Sequence, residues 1–236
     1  MAKPFLDRAG NGFHVHFSLL DRDGVNMLAG DEFKAGLLQP QDPTATQVSL
    51  ALDPRPGMNV LDFCAAPGTK TTHIAELMAD KGSITALDVS EDKRLRITEN
   101  ARRMGIGIIN VMPSEAAGGL EIGSFDRVLV DVPCSNTGVL ARRPEARWRF
   151  DLRSLNQVAA DQRTLASMAV MFTRPGGRLV YSTCSIEQEE NQQNVRWLLQ
   201  KHRNLELIKD ELTLPGGASD ATQWHDGGYY AIFALR

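Results

Sequence analysis

The sequence predicts an α/β fold, a mostly parallel, twisted sheet with helices on both faces. Three observations predict it. From about Phe33 onward, short apolar runs alternate with stretches of helical length and period, the pattern of a parallel sheet wrapped by helices. The first apolar run ends in a turn of small residues, Cys64-Ala-Ala-Pro-Gly68. The second closes on Asp88, where open sheets that bind a nucleoside at their carboxyl edge often carry an acidic residue.

The elements follow in order. Asn59–Phe63 is the first strand, and Thr71–Met78 a helix with Ile74, Leu77 and Met78 on one face. Ser83–Leu87 is the second strand, followed by helix Glu91–Met104. Ile108–Met112 and Phe125–Val132 are the third and fourth strands, the latter centred on Val128-Leu-Val130. A long helix covers Leu152–Phe172, and an Arg174-Pro-Gly-Gly turn leads into strand Arg178–Ser182. Glu187–Lys201 reads as a helix, Leu214–Gly228 as a polar, Gly-rich loop, and Tyr229–Leu235 as the last strand. Residues 33–236 thus form one domain, with residues 1–32 as an appendage. In that appendage one alternating run, Phe13–Leu19, lies among Gly and Asp.

Composition narrows the function classes. At 236 residues, 42% hydrophobic and 23% charged, the chain is globular rather than disordered or collagen-like. No apolar run approaches the ~18–20 residues of a membrane span, and the start lacks the layout of a signal peptide. A net charge of −3 excludes a globally basic nucleic-acid binder but leaves room for a local basic face. Three cysteines, Cys64, Cys134 and Cys184, are too few and too far apart for a disulfide framework or a zinc knuckle. The expectation is a cytoplasmic monomer without a metal site.

The turn after the first strand lets backbone approach a ligand closely. It lacks the G-x-G-x-x-G spacing of dinucleotide enzymes, and Pro67 offers no N–H to a pyrophosphate. That favours S-adenosylmethionine over NAD; the plain alternative is a tight turn with an acidic cap. Cys134, in Asp131-Val-Pro-Cys-Ser, follows the fourth strand, and Cys184, in Thr183-Cys-Ser, the fifth. Both lie at the carboxyl edge. A lone cysteine is usually a small buried hydrophobe, but two at adjacent strand ends point to thiolate chemistry, with Lys70 as a cation to favour the thiolate. Asp131 either caps the turn or acts chemically. Arg142, Arg143, Arg147, Arg149 and Arg153 surround Trp148 and Phe150. Such a segment suits RNA phosphates and bases; otherwise it is a solvated loop around one buried Trp.

Four stretches carry a resemblance: Val60-Leu-Asp-Phe-Cys-Ala-Ala-Pro-Gly-Thr-Lys70, Asp126-Arg-Val-Leu-Val-Asp-Val-Pro-Cys-Ser135, Arg143-Pro-Glu-Ala-Arg-Trp148 and Gly177-Arg-Leu-Val-Tyr-Ser-Thr-Cys-Ser185. Together with Gly36–Asp42 and Asp226–Arg236, they resemble the Sun/Fmu (Nol1/Nop2/Sun) family of RNA cytosine-5 methyltransferases. The resemblance implies a Rossmann-like class I methyltransferase fold with S-adenosylmethionine as methyl donor. It implies that Cys184 attacks C6 of cytosine and Cys134 assists elimination. Asp131 would hold the base edge and Lys70 would support it. The cofactor would lie on Cys64, Ala65, Ala66, Pro67, Gly68, Thr69, Lys70, Asp88 and Asp131, with Glu115 or Ser114 near the adenine. Arg142, Arg143, Arg147 and Trp148 would meet RNA, whose target base is unstacked.

The sequence departs from the family's pattern at Asn136, often Gly, and in lacking the N-terminal RNA-binding extension that many members carry. Residues 1–28 instead resemble a strand segment of glutamine synthetase-like ligases, with His14 and His16 on one side. Ribosomal RNA is the expected substrate. Transfer RNA, a non-catalytic RNA-binding relative and a ligase fragment are the alternatives.

Overall fold

The computed structural model describes residues 31–217 and 223–236. The expectations for residues 1–28, His14 and His16 included, lie outside the described residues. After a single turn of helix, α1 (Asp31–Lys34), comes α2 (Pro43–Leu52). The strands are β1 (Asn59–Asp62), β2 (Ser83–Asp88), β3 (Ile109–Pro113), β4 (Phe125–Asp131), β5 (Thr173–Thr183), β6 (Leu205–Thr213) and β7 (Gly228–Leu235). Between them run α3 (Thr69–Leu77), α4 (Glu91–Arg103), α5 (Ala146–Arg149), α6 (Leu152–Phe172) and α7 (Gln192–Lys201).

The sheet order is β3-β2-β1-β4-β5-β7-β6. The first five strands are parallel, and β7 inserts antiparallel between β5 and β6. Strand order reverses between β1 and β4, which opens a crevice at their carboxyl ends. Both faces are covered, so central strands are apolar on both sides. Val128 and Val130 pack towards α6 and α7 with Phe172, Val195 and Leu198, while Leu129 between them packs with Val48, Leu52 and Ile74 of α2 and α3. This alternation is the two-residue strand period.

Several boundaries differ from the sequence reading. The Arg174–Gly177 turn is present but lies inside β5, as a bulge between the pairs Phe125–Thr173 and Arg127–Arg178. Gly176 has φ +73°, and a Cβ on Gly177 would lie 2.8 Å from the Arg174 carbonyl oxygen, so only glycine fits this fold-back. The helix expected from Glu187 begins at Gln192, because Glu190 and Asn191 turn their side chains back to the sheet edge. Sequence reading missed the single-turn helices α1 and α5 and two longer elements, α2 and β6. Helix α2 is capped by Asp42, whose carboxylate accepts from Thr44 N at 2.9 Å with Pro43 in the first turn. Strand β6 is an exposed edge rich in charge, Glu206 to Glu211, which hides the apolar alternation of a strand.

Candidate active site

The site is built from four strand ends. After β1 the chain runs on between its neighbours, with Phe63 N bonded to Leu129 O and Ala65 N to Leu87 O. It then turns at Gly68 into α3. Gly68 has φ +99°, and a Cβ there would lie 3.1 Å from the Ile97 Cα. Its glycine therefore serves both the turn and the close approach of α4. At the end of β2, Asp88 is buried, and its two oxygens accept from Ala66 N and Ser90 N, each at 3.2 Å. Each oxygen keeps a further lone pair for a ligand hydroxyl. Glu115 follows β3 in a short 3-10 turn, exposed.

Lys70, on the first turn of α3, reaches Asp131 at the end of β4, Nζ to Oδ2 2.7 Å. The other Asp131 oxygen accepts from Ser182 Oγ at 2.6 Å. Burial opposes the Lys70 charge, but the Asp131 carboxylate, with Cys184 and Asp62 adding, outweighs it and holds the ammonium above its ordinary pKa. Asp62 was missed as a site residue. It is buried, with Oδ2 accepting from Thr71 Oγ1 at 2.7 Å and Oδ1 without a partner. Burial pushes its carboxyl up to about 7 against the Thr71 hydrogen bond, with Asp131 adding and Lys70 opposing. Its signal lay in the quoted motif, but a strand-end Asp reads as a cap until its surroundings are known.

The expected pair of thiols meets. Cys134 Sγ lies 2.9 Å from Cys184 Sγ, both cysteines free. Four hydrogen bonds fix the two loops. Gly138 N donates to Cys184 O at 3.0 Å, and Gly227 N to Gly138 O at 2.8 Å. The Cys184 thiol donates to Asn136 Oδ1 at 3.2 Å, while Asn136 Nδ2 donates to Cys134 O at 2.8 Å. Asn136 has φ +64°, a left-handed conformation that Asn adopts more readily than most side chains. The hydrogen bond to the Cys184 sulfur, then burial, then the Cys184 and Glu190 charges hold the Cys134 thiol well above its ordinary pKa. Burial likewise pushes up Cys64, which packs beside the core.

Three clefts open here. One of about 390 Å³ is lined by Thr44, Lys70, Asp131, Cys184 and Tyr230. A second, about 210 Å³, is lined by Asp62, Cys64, Ala66, Pro67, Lys70 and Asp131. The Lys70–Asp131 pair is common to both and so stands between the Cys184 cleft and the small-residue turn. The third, about 790 Å³, is lined by Cys134, Arg143, Arg149, Phe150 and Ser154. The two sulfurs touch, yet they line different clefts.

The arginine segment divides. Arg143, Arg147 and Trp148 are exposed, Trp148 at 83%, with the Arg147 guanidinium 6.0 Å from its ring centroid. The buried Trp of the plain reading is therefore absent. Arg142, expected among the RNA contacts, is held by buried carboxylates instead, 2.6 Å from Asp42 and 3.1 Å from Asp226. It ties the cap of α2 to the loop before β7.

Known proteins match this arrangement. The model of a family described as 16S rRNA methyltransferase RsmB/F matches residues 49–227. A probable ribosomal RNA small subunit methyltransferase B of Bacillus subtilis is 38% identical over 206 residues, 84% of this chain and 46% of that protein. The ribosomal RNA small subunit methyltransferase B of Yersinia pseudotuberculosis is 37% identical over 205 residues, 86% of this chain and 47% of that protein. The chain thus spans about half the length of the curated relatives it matches. Among solved structures, NSun6 from Pyrococcus horikoshii with SFG superposes with a TM-score of 0.76 at 29% identity, covering 88% of this chain and 56% of that one.

Proposed function

The chain belongs to the RsmB/F family of 16S rRNA methyltransferases, and on that premise we propose that it methylates C5 of a cytosine in ribosomal RNA through a covalent cysteine adduct. One observation carries this reading. Cys184 shares a cleft with the Lys70–Asp131 pair, the same pair borders the small-residue turn, and Cys134 touches the Cys184 sulfur from another side.

The residues present fit S-adenosylmethionine. An orphaned carboxylate oxygen of Asp62 is buried beside the cleft at the turn, and the turn is kept free of a side chain at Gly68. Asp88 and Asp131 together outweigh Lys70 at that end, a negative balance suited to a cationic sulfonium ligand. Residues Cys64 to Thr69, with Asp88, would hold the cofactor, and Glu115 stands after the third strand where the adenine end is expected. When bound, the cofactor supplies an electrophilic methyl group.

Cytosine C5 is a poor carbon nucleophile until C6 is saturated. Cys184 gives its proton to solvent and adds its sulfur electron pair to C6, and the displaced double-bond electrons make C5 enamine-like. Asp131, held by Lys70 and Ser182, accepts a hydrogen bond from the exocyclic amine and keeps the base edge in place. Once C5 carries the new methyl, its hydrogen leaves as a proton to solvent and the S–C6 bond breaks. The Cys134 thiol, which keeps its proton, shares it with the departing Cys184 sulfur. Dividing one difficult substitution into addition and elimination is the gain of covalent catalysis. Arg143 and Arg147 meet phosphates, and Trp148 stacks on a base beside the target.

The test is incubation with methyl-labelled S-adenosylmethionine and unmodified 16S rRNA transcript, followed by nuclease digestion and mass spectrometry. Label in 5-methylcytidine supports the proposal. Label in another nucleoside, or none, overturns it.

A further inference from the structure

The most enclosed charged side chain near the site is one that the proposed reaction does not use. Glu190 is 0% exposed and lies just before α7. Its carboxylate accepts from Ser135 N at 3.0 Å, from Ser185 Oγ at 2.6 Å, from Gln162 Nε2 at 2.7 Å, and from Ser135 Oγ in a short bond. All four donors are neutral. Ser135 follows Cys134, and Ser185 follows Cys184.

The residues before the cysteines are held by the same group. Gln162 Nε2 also donates to Pro133 O at 2.9 Å. Asn191, next to Glu190, accepts from Thr183 Oγ1 at 2.7 Å and donates to Ser185 O at 2.9 Å. The chain is therefore bonded on both sides of each cysteine, at 133 and 135 and at 183 and 185, to three neighbouring side chains. Between those anchors each cysteine faces a cleft, Cys184 one and Cys134 another. A buried carboxylate is costly unless its lone pairs are filled, and filling them here requires both serines in place at once. This also accounts for the late start of α7, since continuing the helix through 187–191 would withdraw Glu190 and Asn191 from these partners.

We propose that Glu190 is the positioning residue that sets the two reactive thiols against each other, by clamping the serine that follows each cysteine. The inference rests on the reading above that both thiols serve one reaction. It asks nothing of Glu190 towards RNA or cofactor. The proximity of its charge also accords with a Cys134 thiol that keeps its proton.

The test uses the thiols as their own ruler. Diamide takes two hydrogens from a pair of adjacent thiols, which become a disulfide while the diazene becomes a hydrazine. In the wild-type chain, Cys134 and Cys184 should link rapidly, read by peptide mass spectrometry. In Glu190→Ala the linking rate should fall by roughly tenfold, and kcat for methyl transfer by roughly 10- to 100-fold, as for a misplaced catalytic group. KM for S-adenosylmethionine and for the 16S rRNA transcript should stay unchanged. Glu190→Gln, which keeps an acceptor and the shape, should recover part of both rates. An unchanged linking rate and kcat in Glu190→Ala overturn the proposal. So does a loss confined to melting temperature. Should Glu190→Ala not fold, Ser135→Ala and Ser185→Ala each remove one hydroxyl donor. Both should slow linking, and wild-type rates in both also overturn the proposal. If the wild-type chain links its thiols but methylates no RNA, the functional reading fails while the clamp is still judged by linking alone.

Discussion

Among the described carboxylates, Asp62 is the one whose charge the fold opposes most strongly. Its carboxyl titrates near 3.8 in an unfolded chain and at about 7 in the native state. The native state therefore binds the proton more tightly, so the stabilisation it brings is complete below the unfolded pKa and is lost as pH rises through about 7. At 1.36 kcal/mol per pKa unit the whole effect is roughly 4 kcal/mol, of which ~2.5 kcal/mol falls between pH 5 and pH 8. Asp62→Asn keeps an acceptor for Thr71 Oγ1 and removes the titration. Urea unfolding of both proteins at several pH values isolates the effect of Asp62 together with its coupling to Lys70 and Asp131, because the contributions of more distant groups are common to both. Wild-type stability should drop relative to the variant by ~2.5 kcal/mol across that interval. Parallel pH profiles would mean that Asp62 is ionised in the native protein, and the reasoning from its buried, orphaned oxygen would be wrong.

Other perturbations separate the roles of neighbouring residues. Asp88→Ala removes an acceptor at the cofactor end and should weaken S-adenosylmethionine binding by ~1.5–3 kcal/mol in calorimetry; unchanged affinity would remove Asp88 from the site. Reversing Arg143 and Arg147 to Glu should weaken RNA binding and flatten its salt dependence, measured by filter binding, with the melting temperature little altered. Arg142→Ala should behave in the opposite way, leaving the salt slope intact. It should cost stability between the ~1 kcal/mol of an exposed pair and the ~3–5 kcal/mol of a buried one. Gly138→Ala places a methyl 2.6 Å from Gly227 O and 2.8 Å from Cys184 O. Overpacking there should cost ~1–3 kcal/mol and lower kcat by spreading the cysteine loops, read in melting and turnover assays.

The parallel half of the fold was legible because its strands are buried on both faces. Val128 to Val130 is apolar without interruption, a signal carried by composition alone. Strand β6 was not legible, since Lys209, Asp210 and Glu211 face solvent on an edge and its pairing with β7 is a tertiary fact. At the site, residue types and spacing placed Cys134, Cys184, Asp131 and Lys70 together, because each ends a strand or begins a helix at one edge. What failed was partner choice over distance. Arg142 looked like its neighbours, but its carboxylates stand at Asp42 and Asp226, far along the chain. Glu190 fell inside the helix expected over Glu187–Lys201, because nothing local announces that two loops, each ending a different strand, will converge on it.

The account rests on Cys184 as the residue that bonds to the base, and a denaturing gel tests this most directly. Each variant is incubated with S-adenosylmethionine and end-labelled 16S rRNA transcript, then denatured. Cys184→Ala cannot form the bond to C6 and should give neither methylation nor a retained complex. Cys134→Ala should form the bond, transfer the methyl group and stall before elimination, leaving a denaturant-resistant protein–RNA band. The reverse outcome, a band with Cys184→Ala and none with Cys134→Ala, would make Cys134 the nucleophile and contradict the account.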